Sequence, residues 1–161
     1  MYVLKFYDIF CVLMDHYEYK EYSQISDEVF EIVSQTNSQI FSTPYCIDRM
    51  YSKTKDCSKF LAQFYFDGSL PIAFKVGYDC GDYFYSWVGG VVPFYRGQKL
   101  ATKLMERQHA WAKEQGFFKV RTHTDARYPE MIELNEKFGF RLIDTRIKEN
   151  QIKQLILERS L

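Results

Sequence analysis

Neither sign of charge has a majority in this sequence: Lys and Arg together number 21, and so do Asp and Glu. A balanced chain sets up no global field toward nucleic acid or an anionic membrane, so any charged partner has to be recognised locally. Paired cysteines are missing as well. Cys11, Cys46, Cys57 and Cys80 form no CxxC pair and show no metal-ligand spacing with the three histidines. That leaves buried or idle thiols in a reducing compartment, and no metal. No repeat, low-complexity tract or linker divides the 161 residues, which suffice for one domain spanning 1–161 with its own core. No apolar run is long enough to cross a bilayer. The opening stretch MYVLKFYDIFCVLM comes nearest, but Lys5 and Asp8 interrupt it and no small-residue cleavage site follows. Over 1–14 it reads as an apolar extension, an extra strand or helix or a self-association surface that leaves a homodimer open. Met14 offers an alternative start. The expected location is cytoplasmic, with no membrane partner.

Aromatic residues, by contrast, make up 18% of the chain, and many fall between Phe41 and Tyr95. A sheet rich in them can stack bases, but no basic patch or RNP-like string accompanies these, and nucleic acid is set aside. In YEYKEYSQI (17–25) the tyrosines alternate with charges as in a strand. Ser26 is a helix N-cap, with Asp27 and Glu28 in the first turn, and TPYCIDRMYSK reads as a second helix. KFLAQFYF, the turn DGSLP and IAFKVGYD form a hairpin. DYFYSWVGGVV is a further strand, where Gly89-Gly90 signals a bulge or a close backbone approach. Leu100, Leu104, Met105, Trp111 and Ala112 then repeat at helical spacing, with Gly116 as C-cap. FFKVRTHT is a strand, PEMIELNEKFG a short helix, and FRLIDTRIK with IKQLILERS a second hairpin. The fold class is mixed α/β: a sheet with helices on both faces.

The stretch VVPFYRGQKLA, Val91 to Ala101, joins strand to helix through an Arg-Gly pair, with Pro93 ending the strand's pairing. A helix starting there aims its unpaired N–H groups and the positive end of its dipole beyond the strand, which suits phosphate. Gly97 permits a tight turn, Ala101 keeps the first turn free of bulk, and Arg96 adds a charged contact. A plain surface charge and a turn glycine explain the same residues. Neither GxxxxGK[ST] nor GxGxxG is present.

Followed by its long amphipathic helix, VVPFYRGQKLA resembles the acetyl-CoA signature R/Q-x-x-G-x-G/A of the GNAT superfamily of N-acetyltransferases. Downstream, MIELNEKFGF resembles the second motif of that family, a short helix ending in EKxGF, with one strand between the two. The resemblance implies a GNAT-like fold: a central, mostly antiparallel, twisted sheet, splayed at the CoA site, with acetyl-CoA as cosubstrate. It places the cofactor at Val91, Val92, Arg96, Gly97, Gln98, Lys99, Leu100, Ala101 and Asn135. Two positions depart from the pattern. Lys99 replaces a glycine, tolerable where the backbone is already helical, and Asn135 replaces the tyrosine that protonates the CoA thiolate in many relatives. Asparagine can hydrogen-bond pantetheine but is no acid near neutral pH.

Family mechanism implies direct attack of a primary amine on the thioester in a ternary complex, which leaves Cys80 without a nucleophilic role. The strand ending at Val91-Val92 then splays from FKVRTHT, and a backbone N–H near Val91 is offered to the thioester carbonyl. An alkyl ammonium near pKa 10.4 is neutral in only about four molecules per ten thousand at pH 7, so a base is needed. Tyr85 and Trp87 occupy the family's base positions on the strand before the hinge, and His123 lies on the next strand with a suitable intrinsic pKa. Asp79, Asp82, Glu130 and Glu133 are available to attract a cationic acceptor. The catalytic candidates are Tyr85, His123 and Asn135. The expected activity is acetyl transfer to a small-molecule or protein amine; the alternative is a CoA- or acyl-CoA-binding sensor with little turnover.

Overall fold

The computed structural model describes residues 16–44 and 46–161. The apolar extension expected over 1–14 lies outside them. In chain order the elements are β1 (Glu18–Tyr22), α1 (Asp27–Ile40), α2 (Ile47–Thr54), β2 (Phe60–Asp67), β3 (Leu70–Asp79), β4 (Phe84–Val91), a 3-10 turn (Pro93–Tyr95), α3 (Leu100–Glu114), β5 (Lys119–Asp125), α4 (Pro129–Lys137), β6 (Arg141–Ile147) and β7 (Lys153–Ser160). Local chemistry sets their ends. Ser26 has extended backbone and its hydroxyl accepts from the Val29 amide at 3.3 Å, so α1 is capped as the sequence predicts. Pro129 opens α4, where its missing N–H is no loss, and Gly139 ends it at φ +80°.

The strands form one sheet in the order β1-β2-β3-β4-β5-β7-β6. Every pair is antiparallel except β4 with β5. Strand alternation sends two sets of side chains to two faces. Phe60, Ala62, Phe64 and Phe66 of β2 join Val29 and Val33 of α1 and Met50 of α2 in one core. On the other face Leu61, Phe84, Val120 and Leu157 meet Met105 and Ala112 of α3, with Leu134 of α4 against them. Leu100 and Leu104 of α3 pack beside that core on Tyr65, Ile72 and Ala73. Burying one such large side chain contributes roughly 1.5–3 kcal/mol.

Two features of β4 prepare the site. Val76 pairs with Val88 but Gly77 pairs with Ser86, so Trp87 is an extra residue in the ladder. The bulge thus falls at Trp87, and Trp87 and Val88 both turn toward the α1 face. Gly89 and Gly90 answer the second half of the expectation, close approach: a Cβ on Gly89 would lie 2.7 Å from the Phe74 carbonyl oxygen, and one on Gly90 2.9 Å from Ile40. Second, β4 pairs with β5 only at Phe84–Val120, Tyr85–Arg121 and Ser86–Thr122. Beyond Ser86 the two parallel strands part, and the sheet opens at its centre.

Candidate active site

The opening is bounded by β4 on one side and β5 on the other, with α3 rising from its rim. Val92 directs its N–H to the Ile72 carbonyl of β3 at 2.9 Å. Since successive strand residues point their N–H and C=O to opposite edges, those of Val91 and Gly89 face the opening. A chain lying there finds the pairing groups of a missing strand.

At the rim, Arg96, Gly97 and Gln98 turn the backbone through Gly97, at φ +79°, into α3. Lys99, the residue before the helix, is left-handed at φ 58° and ψ 18°. The helical backbone expected to tolerate a side chain there is absent; the family's glycine would sit without strain, and the lysine costs about 1–2 kcal/mol. From Gly97 through Thr102 the amides find no acceptor among the described residues, and no side chain caps the helix. Those amides, together with the helix dipole, form an anion-binding nest. Leu100 is 3% exposed and anchors the first turn in the core, so its part falls to its backbone, whereas Ala101 also lines the recess below. Tyr95 donates to Asp67 at 2.7 Å and Tyr17 to the Gln98 amide oxygen at 3.0 Å, pinning the loop. Arg96 is exposed, with Nε donating to the Val91 carbonyl at 3.2 Å.

Beneath the rim lies a small recess, partly open to solvent, on the α3 side of β4. Gly89 and Gly90 form one wall, Ala101, Leu104 and Met105 of α3 another, and Met131 and Leu134 of α4 a third. A slender, mostly apolar chain ending in a phosphate fits these surroundings: the nest for its anion, glycine-walled space for its arm, open strand groups for its amides. The residues present therefore suit CoA.

On the opposite face, at the point where the strands part, Tyr85 and His123 meet with ring centroids 4.9 Å apart. Tyr85 also packs edge-on against Tyr78, and Trp87 does the same. Burial, then the charges of Arg146, Arg121 and Lys53, hold the His123 pKa down to about 4. The ring is thus neutral at physiological pH and free to accept a proton, and Arg146 lies 3.4 Å from its Nδ1. Among the described residues, the charges that act on His123 are positive. The acidic residues expected to attract an acceptor are engaged elsewhere or exposed. Asp79 accepts from Ser58 and from the Gly81 amide, and Glu133 pairs with Lys137 at 2.7 Å. Cys80 is exposed, and partial desolvation is the first cause that pushes its thiol pKa up.

Asn135 is placed differently from the expectation of a side chain open to the thioester. It is 2% exposed and donates its Nδ2 to Thr124 Oγ1 at 3.0 Å. It ties α4 to β5. Alanine there is expected to cost about 1–3 kcal/mol, because Thr124 loses its buried partner and a gap remains; urea unfolding of the variant checks this. Val92, also expected at the cofactor, has its side chain buried and its amide committed to β3. Sequence reasoning missed Lys75, which lines the recess. Its signal was a lone charge inside the otherwise apolar run PIAFKVG.

The sequence profile of the acetyltransferase (GNAT) family matches residues 26–140. The chain belongs to that family. A comparison with curated protein sequences returned no match. Among solved structures it is similar to the ribosomal-protein-S18-alanine N-acetyltransferase of Escherichia coli, with TM-score 0.76 and 16% identity over 89% of this chain and 94% of that one. It is similar also to Ard1 of Thermoplasma volcanium, with TM-score 0.74 and 16% identity over 91% and 98%. Arabidopsis thaliana Naa50, solved with the bisubstrate analogue CoA-Ac-MVNAL, aligns at TM-score 0.70 and 16% identity over 91% and 99%. The seven-stranded, mostly antiparallel sheet with helices on both faces is the fold these acetyltransferases share.

Proposed function

We propose that the protein is an acetyl-CoA-dependent N-acetyltransferase that moves an acetyl group to a primary amine by direct attack in a ternary complex. The observation that carries this reading is the run of unpartnered amides from Gly97 to Thr102 at the mouth of the β4–β5 opening. When bound there, acetyl-CoA supplies the activated acyl group. This chain's own residues do the rest. Arg96 and the nest hold the phosphates, and the N–H groups of Val91 and Gly89 hold pantetheine and polarise the thioester carbonyl. The Tyr85–His123 pair lies on the far face, where an amine can approach the same opening. His123, neutral, takes the proton of the ammonium that forms on attack.

A thermal unfolding scan with and without acetyl-CoA tests the donor. At a hundredfold excess over Kd the ligand is expected to stabilise by about 2.7 kcal/mol. Arg96→Ala is expected to weaken binding by about 1.5–3 kcal/mol, since a charged hydrogen bond is lost. Equal shifts in wild type and variant remove Arg96 from the site; no shift in either removes the cofactor. Thiol release from acetyl-CoA across a panel of amines then separates an enzyme from an acyl-CoA sensor.

A further inference from the structure

Among the described residues, the cation at Lys75 has no counter-charge. Lys75 of β3 pairs across the ladder with Gly89, and its Cγ lies 3.2 Å from where a Cβ on Gly89 would be. The stem thus crosses the opened end of β4 on the α3 face, over a residue with no side chain, and enters the recess. As a residue it keeps some exposure through the recess mouth, but its ammonium has neither an ion-pair nor a hydrogen-bond partner among the described residues. The groups packed around it are few. From α3 comes His109, whose Nδ1 lies 3.3 Å from Arg159 of β7, so a positive group backs it. From α4 come Met131 and Leu134, and from β4 only glycines. Among the described residues no carboxylate lines the recess. Keeping an unpaired ammonium in such surroundings costs stability, which a fold gains nothing from unless an anion arrives.

We propose that Lys75 meets the sulfur of the acyl donor and protonates the CoA thiolate as it leaves. The inference rests on the reading of the β4–β5 opening as the acetyl-CoA site. In the step, the nitrogen of the substrate amine bonds to the acetyl carbon, and the carbon–sulfur bond breaks with its electron pair on sulfur. Lys75 Nζ gives that sulfur a proton, and the neutral lysine regains one from solvent. The proton lost by the substrate nitrogen leaves on the other face, through His123. Asn135 cannot serve, because an amide is no acid and its Nδ2 is bound to Thr124. Desolvation lowers the Lys75 pKa to about 8, near the value of about 8.5 of a free thiol.

Titration of the thiol of protein-bound CoA, read by thiolate absorbance on the full chain, tests the contact. The proteins compared are wild type, Lys75→Met and Lys75→Gln, each with a thermal scan with and without CoA. In wild type the bound thiol is expected to titrate about 1–3 pH units below its value in either variant. Both variants are expected to keep the CoA-induced shift and to release thiol from acetyl-CoA at least tenfold more slowly. Lys75→Met takes an unpaired charge out of apolar surroundings and is expected to fold; Lys75→Gln repeats the test with a polar group. Equal thiol pKa values in proteins that all bind CoA overturn the assignment of Lys75 and leave the acetyl-CoA reading standing. Absence of a CoA shift in wild type overturns that reading itself. A mass gain of one acetyl group on Lys75 after mixing with acetyl-CoA makes it an acceptor and also overturns its role as donor.

Discussion

Alanine at His123 is expected to lower kcat by about a hundred- to ten-thousandfold, the usual contribution of a positioned base, while the acetyl-CoA thermal shift stays that of wild type. The expectation follows from position and charge together. His123 lies on β5 one residue past Thr122, the last residue paired with β4, and its ring touches that of Tyr85. It is therefore at the apex of the opening, where the proposed reaction brings the thioester and an incoming amine together. Burial, then the cations Arg146, Arg121 and Lys53, keep it unprotonated, so in the proposed reaction it enters each turnover ready to accept. Its weak basicity suits a late proton transfer, because an ammonium attached to a tetrahedral carbon is far more acidic than a free alkylammonium. Tyr85→Phe distinguishes a shared task from a single base. A loss in both variants, no greater in the double variant, marks the two rings as one unit. Full activity in His123→Ala, with the acceptor found by the amine panel, would falsify the base assignment and leave proton removal to water.

Much of this site was legible because its chemistry is local. Arg96, Gly97 and the helical spacing from Leu100 onward lie within one continuous stretch, and a strand running into a helix leaves free amides whatever the rest of the chain does. The hairpins and the Ser26 cap are legible for the same reason. What escaped depends on contacts between distant residues. Whether Asn135 faces the thioester or Thr124 is decided by the packing of α4 on β5, eleven residues upstream. The left-handed backbone at Lys99 was signalled only by the glycine the motif has there, because lysine itself gives no such signal. The bulge at Trp87 rather than at the two glycines follows from β3, where Val76 and Gly77 set the register. Lys75 is the clearest case: its strand was predicted, but only the cross-strand glycine shows that the side chain has a path into the recess.

Acid is expected to unfold this protein well above the range where its carboxylates protonate, and His109 is the main reason. The residue sits on α3 at 7% exposure, between the rings of Phe138 and Phe140 at 5.7 and 5.5 Å. Burial, then the charges of Lys75 and Arg159, pull its pKa from 6.5 to about 3. In the unfolded chain the same imidazole titrates near 6.5, so between that pH and about 3 the unfolded state holds one more proton than the folded state. Stability is then complete above pH 6.5 and falls with pH, by about 1.4 kcal/mol per unit for one group. Two units below the unfolded pKa the loss is about 3 kcal/mol, or roughly 6–12 °C in Tm for a domain of this size. His123 adds a loss of the same sign, reduced by its greater contact with solvent. Urea unfolding at pH 7, 6 and 5 measures the slope directly. His109→Gln keeps a polar acceptor toward Arg159 but cannot titrate, and is expected to flatten the curve over that window. An unchanged slope in the variant would mean that His109 accepts a proton in the folded state, which requires the Lys75–Arg159 surroundings to relax around it. A loose α3 would also loosen the recess that Lys75 lines, so the acid slope and the thiol titration read the same packing from two sides.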